Sequence, residues 1–192
     1  RDVLEALAKA YEIQGCISIE NDFFHQGSDH NLLIRVATAA VLTRMLGGTR
    51  EQIINAVSNA WVDTSLVAYR YAPNIGSRKN WACGDASSEA VRLAMMALRG
   101  MQGCPLILTA KQYGFYDVRF GGEPFGLPQP YAEYVIQNSM FKFVTAGMHS
   151  QSAVECAYRL HPLVKDRIGE IERVAMHAHA PLIDIMGKTG PL

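Results

Sequence analysis

The 192-residue sequence has no excess of charge of either sign: 18 Lys and Arg stand against 18 Asp and Glu. No basic run interrupts that balance, so a nucleic-acid partner is not expected, because binding to phosphate needs a concentrated positive field. Long apolar runs are missing too. The stretch Val36 to Leu42 is broken by Thr38 and bounded by Arg35 and Arg44. Nothing approaches the ~20 apolar residues that a helix needs to cross a bilayer, and no membrane partner is expected. Cysteine is sparse: Cys16, Cys83, Cys104 and Cys156 form no C-x-x-C pair, which points to free thiols and excludes the common zinc and iron–sulfur frameworks. Neither G-x-x-x-x-G-K-[ST] nor G-x-G-x-x-G occurs, so no nucleotide fingerprint is present.

What is present is the patterning of a packed, mainly α chain, with 49% hydrophobic residues. Val3, Leu4, Leu7 and Tyr11 make a stripe on a helix from Asp2 through about Tyr11, and that stripe is expected to face a core. Ser28 or Asp29 can cap a helix whose body, Leu32 to Leu46, is apolar on nearly every side and so belongs at the centre of a bundle. Gly47-Gly48 supplies its stop. Thr49 and Gln52 then form a capping box for a helix through Ile53, Ile54, Val57 and Trp61. From Asp63 the pattern dissolves into a loop, and helix resumes near Asp85, running through Ala90, Leu93, Met96 and Ala97 until Gly100, Gly103 and Pro105 close it. Pro130 suits the first turn of a helix from Tyr131 to Asn138. Residues 1–140 thus read as one helical domain. Residues 141–192 read as the start of a smaller α+β lid, with a helix from Ser150 to Leu160 and a period-two strand from Ile171 to Ala180. With Arg1 already in a helical pattern and Leu192 closing on a strand-like stretch, the sequence reads as an internal segment of a longer chain.

Two clusters could carry chemistry. Arg70, Arg78 and Lys79 lie in a stretch with no acidic residue between Asp63 and Asp85. Leading into a helix N-terminus, they suit a carboxylate or phosphate, or they form a solvated loop whose cations pair elsewhere. Lys142 and His149 sit at the expected domain boundary, where ligand sites concentrate. His149 is suited to proton transfer near neutral pH, or it only dresses the helix that follows. His25 and His30 flank the start of the buried helix, which faces either a cavity or another packed element. Asp29 reads as a cap before it reads as a catalyst. His177 and His179 share one face of the expected strand, but two ligands do not make a site, and no metal is expected.

Several strings carry a resemblance: Ala60-Trp61-Val62-Asp63, Tyr69-Arg70-Tyr71-Ala72-Pro73-Asn74, and the run from Ser77-Arg78-Lys79-Asn80-Trp81 to Cys83-Gly84-Asp85-Ala86. Tyr113 to Val118, Phe141-Lys142, His149 to Glu155 and Lys188 to Leu192 continue it in order, so that essentially the whole chain is similar to the MmgE/PrpD family. The resemblance implies a helical domain with an α+β lid, a cleft between them, and a cofactor-independent lyase that removes water from 2-methylcitrate in propionate breakdown. It also implies site residues before Arg1. The family's basic-loop Lys matches Lys79, the His opening its central helix matches His30, and its junction Lys and His match Lys142 and His149, one residue closer together than in bacterial members. Elimination of water beside carboxylates needs fixed positive charge for the enolate-like transition state, which Arg78, Lys79 and Lys142 suit. His149 is the first choice of general acid, and Lys79 is base or electrostatic clamp; the two labels are interchangeable on the sequence. Decarboxylation of cis-aconitate, also found in this family, and an inactive scaffold are the alternatives, with the motifs at Trp61 and from Tyr69 to Asp85 favouring the dehydration. A homodimer is expected from the broad apolar helix Leu32 to Leu46. The compartment is expected to be the cytoplasm in a bacterial source and the mitochondrial matrix in a fungal one.

Overall fold

The computed structural model describes residues 1–70, 76–127, 130–131, 135–180 and 183. Among the described residues the chain divides into two compact units, the first holding 1–70 and 76–139 and the second beginning at Met140. The first is a helical bundle of α1 (Asp2–Ser18), α2 (Asn31–Met45), α3 (Arg50–Ala60) and α4 (Arg78–Leu98), with a short α5 (Phe115–Arg119). The second holds α6 (Gln151–Val164) between 3₁₀ turns.

Helix α2 packs against α1, α3 and α4. Its all-round apolar character is used inside the bundle: Leu32, Leu33, Val36, Ala37 and Ala39 are buried. These residues of α2 are therefore covered within the chain itself. Opposite it, α4 buries Ala82, Ala86, Ala90, Ala94 and Ala97. A row of methyl side chains about one turn apart lets the two backbones approach closely. Gly47, at φ +85°, ends α2 in the left-handed conformation, and Thr49 and Gln52 make the reciprocal capping box that opens α3.

An aromatic cluster closes the bundle beyond the end of α3. Trp61 lies 5.0 Å from Phe115 and 5.4 Å from Phe125 between ring centroids, and Phe23 lies 5.3 Å from Phe120. Arg35 ties the helices together below it: its Nε donates to the carbonyl of Ala60 at 2.9 Å and its Nη1 pairs with Glu89 of α4 at 2.7 Å.

Four expectations are corrected. The stripe Val3, Leu4, Leu7 and Tyr11 is exposed, and α1 instead buries Glu12, Cys16 and Ile17 near its C-terminal end. Periodicity marks an apolar face without saying what covers it. Helix α4 starts at Arg78, two turns before Asp85. Contacts that exist only on a helix favour the early start: Arg78 lies over the Trp81 ring at 4.4 Å and pairs with Asp85 at 2.9 Å, and together they offset the roughly 1 kcal/mol that Gly84 costs in a helix interior. The stretch Ile171–His179 carries no ladder hydrogen bonds among the described residues, so the expected strand is absent there. Of the helix expected over Tyr131–Asn138, residues 132–134 lie outside the described residues, and Val135–Asn138 is a 3₁₀ turn.

Trp61→Ala is predicted to cost about 3–5 kcal/mol through lost burial and the cavity left among the rings. Urea unfolding monitored by far-ultraviolet circular dichroism checks this, and a loss below 1 kcal/mol would contradict the packing described.

Candidate active site

The first unit assembles its polar groups where the chain enters α2. Residues 27–29 and 65–67 run side by side: Ser28 and Leu66 form an antiparallel bridge, Asp29 N–H donates to the carbonyl of Ser65 at 2.7 Å, and Val67 N–H to that of Gly27 at 3.2 Å. This pairing carries the following 3₁₀ turn, Val67–Arg70, to the foot of α2.

Asp29 is fully buried. Its carboxylate accepts from both Nε and Nη2 of Arg70, from the Tyr69 hydroxyl at 2.9 Å and from the Asn31 N–H at 2.9 Å. It therefore satisfies the N–H of Asn31, the first residue of α2, although the N-cap position itself is His30, and it also anchors a cation brought from about forty residues away. Burial works to raise the Asp29 carboxyl, but the hydrogen bonds from Arg70, Asn31 and Tyr69 outweigh it and hold the group below its ordinary 3.8. Burial, together with the bond to Asp29, pushes the Tyr69 phenol up to about 12. The Asn31 amide donates to the Tyr69 hydroxyl at 2.7 Å, and the Cys83 thiol of α4 donates to the Asn31 carbonyl oxygen at 3.1 Å. Asn31, Tyr69 and Cys83 were not among the site residues expected from the sequence. An Asp-His-Asn string at a helix start is too common to announce such a hub.

His30 stands at the edge of this hub, with its side chain 58% exposed. Its Nε2 lies 3.4 Å from Arg70 Nη2 and its Nδ1 lies 3.9 Å from Asp29 Oδ1. Desolvation by the surrounding protein lowers its basicity, with Asp29 opposing and Arg70 reinforcing that direction.

The three cations of the basic stretch are separated by their partners. Arg70 is spent on Asp29, Arg78 pairs with Asp85, and Lys79 in the first turn of α4 is exposed, with no carboxylate partner among the described residues. A cleft of about 560 Å³ is bounded by Asn31, Tyr69, Arg78, Asp63, Asp85 and Glu89. Arg35 lines the cleft as well, so an anion there would have to displace Asp85 from Arg78 or Glu89 from Arg35. Residues 71–74 of the similar strings lie outside the described residues, as do 188–192.

Lys142 and His149 belong to the second unit. The Gln151 amide clamps the loop between them, its Oε1 accepting from Phe143 N–H at 3.0 Å and Val144 N–H at 3.1 Å while Nε2 donates to the Val144 and Ala146 carbonyls. Lys142 is exposed between Phe141 and Phe143, which are 89% and 94% exposed. His149 Nδ1 lies 3.4 Å from His179 Nε2. His179, placed by the sequence on an expected strand, is thus a neighbour of the candidate acid. No group of three metal-ligating side chains occurs among the described residues.

The sequence pattern of the MmgE/PrpD N-terminal domain matches residues 1–128. The chain belongs to the MmgE/PrpD family. Among relatives of this MmgE/PrpD chain, the 2-methylcitrate dehydratase of Escherichia coli (strain K12) is 52% identical over all of the chain and 41% of the relative. That of Cupriavidus necator is 50% identical over 99% of the chain and 40% of the relative. The mitochondrial 2-methylcitrate dehydratase of Yarrowia lipolytica is 46% identical over the whole chain and 38% of the relative. The chain therefore spans about two fifths of the length of these MmgE/PrpD relatives. No described helix is long and apolar enough to cross a membrane.

Asp29→Asn is predicted to destabilise the protein by about 3–5 kcal/mol at neutral pH, because Arg70 is left without its counter-charge. Since the folded Asp29 pKa lies below 3.8, the unfolded chain takes up this proton more readily. The pairing contributes fully above that value and is lost as the pH falls through and below it. The gap between wild type and variant should therefore shrink in acid. Urea unfolding at pH ~7 and pH ~3 checks this, and equal gaps at both would contradict it.

Proposed function

We propose that the full-length protein is a 2-methylcitrate dehydratase, a hydro-lyase of propionate catabolism that eliminates water from 2-methylcitrate to give 2-methylaconitate. The observation that carries this reading is the 46–52% identity to proteins of that name across essentially the whole chain. Residues 1–140 are assigned to its helical domain and 141–192 to part of its α+β lid.

In the proposed reaction a carbon-bound proton beside a carboxylate is taken by a base, the neighbouring C–O bond breaks, the C=C bond forms, and the departing hydroxyl leaves as water with a proton from an acid. Negative charge grows on the carboxylate at the transition state, and fixed ammonium groups lower that barrier. Lys79 and Lys142, both exposed, are the cations assigned to it. Arg78 joins them when a substrate carboxylate takes the place of Asp85. His149, with His179 beside it, is assigned as acid, Lys79 as base or clamp, and His30 as a substrate-binding group. No cofactor or metal is assigned. The partner is a small tricarboxylate, with neither nucleic acid nor membrane.

We further propose a homodimer. It is supported by the exposed α1 stripe Val3, Leu4, Leu7 and Tyr11, and a monomer mass by light scattering would reject it. The compartment follows the source: cytoplasm for a bacterial protein, mitochondrial matrix for a fungal one. Decarboxylation of cis-aconitate is the alternative within the family.

In the full-length protein, Lys79→Ala and His149→Ala are each predicted to lower turnover of 2-methylcitrate by about a hundredfold or more with little change in unfolding midpoint. The ultraviolet absorbance of the new double bond reads the rate. Unchanged rates would reject both roles, and carbon dioxide released from cis-aconitate with no dehydration would move the assignment to the decarboxylase.

A further inference from the structure

The Arg70 guanidinium can only donate hydrogen bonds, and it is not free to turn. Asp29 holds it through Nε and Nη2, and the backbone pairing of 27–29 with 65–67 fixes both ends of the contact. The same Nη2 faces His30 Nε2 at 3.4 Å. If Nε2 carried a proton, two N–H groups would point at one another. The contact is favourable only when Nε2 offers its lone pair and the proton sits on Nδ1, the nitrogen nearer to Asp29 at 3.9 Å.

We infer that Arg70 is a positioning residue: anchored by Asp29, it holds His30 as a neutral imidazole with the proton on Nδ1, so that His30 serves substrate as a fixed neutral hydrogen-bonding group. The inference deepens the dehydratase reading and rests on it for the role of His30. The charged and titratable groups around the ring act in opposite directions, with a net bias toward the neutral form. Asp29 favours the imidazolium, but desolvation and the Arg70 charge oppose it more strongly, and Tyr69 remains a neutral phenol through the physiological range. Cys83 on α4 reaches the cluster through Asn31 and lies close enough to Arg70 to interact with its charge. A neutral imidazole suits a hydroxyl better than a carboxylate, which leaves substrate charge to the lysines.

The test uses full-length protein carrying ¹⁵N-labelled histidine, with His30 assigned by difference from His30→Gln. Long-range ¹H–¹⁵N spectra should show His30 as the Nδ1–H tautomer and still mainly neutral at pH ~6, below the ~6.5 midpoint of an unperturbed histidine. Arg70→Met should raise the His30 titration midpoint. Arg70→Lys, which retains charge but not the fork, should lower kcat about tenfold while moving KM less than about twofold, and should shift the acid limb of the rate profile. A wild-type His30 that titrates normally or carries its proton on Nε2 overturns the inference, even if Arg70→Met fails to fold. Because the spectra need no turnover, an inactive protein showing the expected tautomer would reject the dehydratase reading and leave the Arg70 assignment standing.

Discussion

A carboxylate with no exposure to water holds the functional end of the first unit together. Asp29 terminates the approach to α2, and everything polar nearby is arranged to keep its charge satisfied: Arg70 in a forked contact, the Tyr69 hydroxyl, and the first N–H of the helix. Burying such a charge costs several kcal/mol unless partners replace its hydration, so the segment 65–70 has few alternatives to lying against 27–29. The position of His30 follows from that constraint. So does the register of Asn31, through which α4 is linked at Cys83.

Behind this hub, the bundle gives α2 a rigid seat. Alanines on α4 permit close approach, the rings around Trp61 and Phe115 fill the space beyond α3, and Arg35 joins α2, α3 and α4 through one guanidinium. The second unit is built otherwise. It buries no residue among those described, and its order near Lys142 and His149 comes from the Gln151 amide bonding to a turn of the loop. Phe141 and Phe143 are left almost fully open. One unit is ordered by its core and the other by local hydrogen bonds.

The sequence announced what local chemistry determines. The Thr49 and Gln52 box, the stop at Gly47, the central burial of α2 and the helix after Ser150 all depend on neighbours within a turn or two, and all were legible. What escaped depends on distant partners. The α1 stripe was readable as apolar, but not as open to solvent. The cations of the basic stretch looked unpaired because Asp29 is some forty residues from Arg70, and Asp85 lies beyond the assumed loop on the helix that Arg78 itself begins. Alternation in 171–179 predicted a strand, whereas a strand exists only with a partner. Arg78, Lys79, Lys142, His149 and His30 were marked by residue type and placement, and likeness to a family then suggested roles for His30, Lys79, Lys142 and His149. Family membership is secured by the match over residues 1–128 and by the relatives, while the role of each residue stands as a proposal for mutagenesis.

The dependence of the candidate site on the Asp29–Arg70 contact is tested most directly by a double-mutant cycle: Asp29→Asn, Arg70→Met and the pair, each unfolded in urea at neutral pH. The account predicts strong coupling, with the double variant more stable than the sum of single losses implies by about 2 kcal/mol or more, since removing both partners leaves no buried charge uncompensated. Additive losses within about 0.5 kcal/mol would show that the two groups do not depend on each other, and would contradict the account.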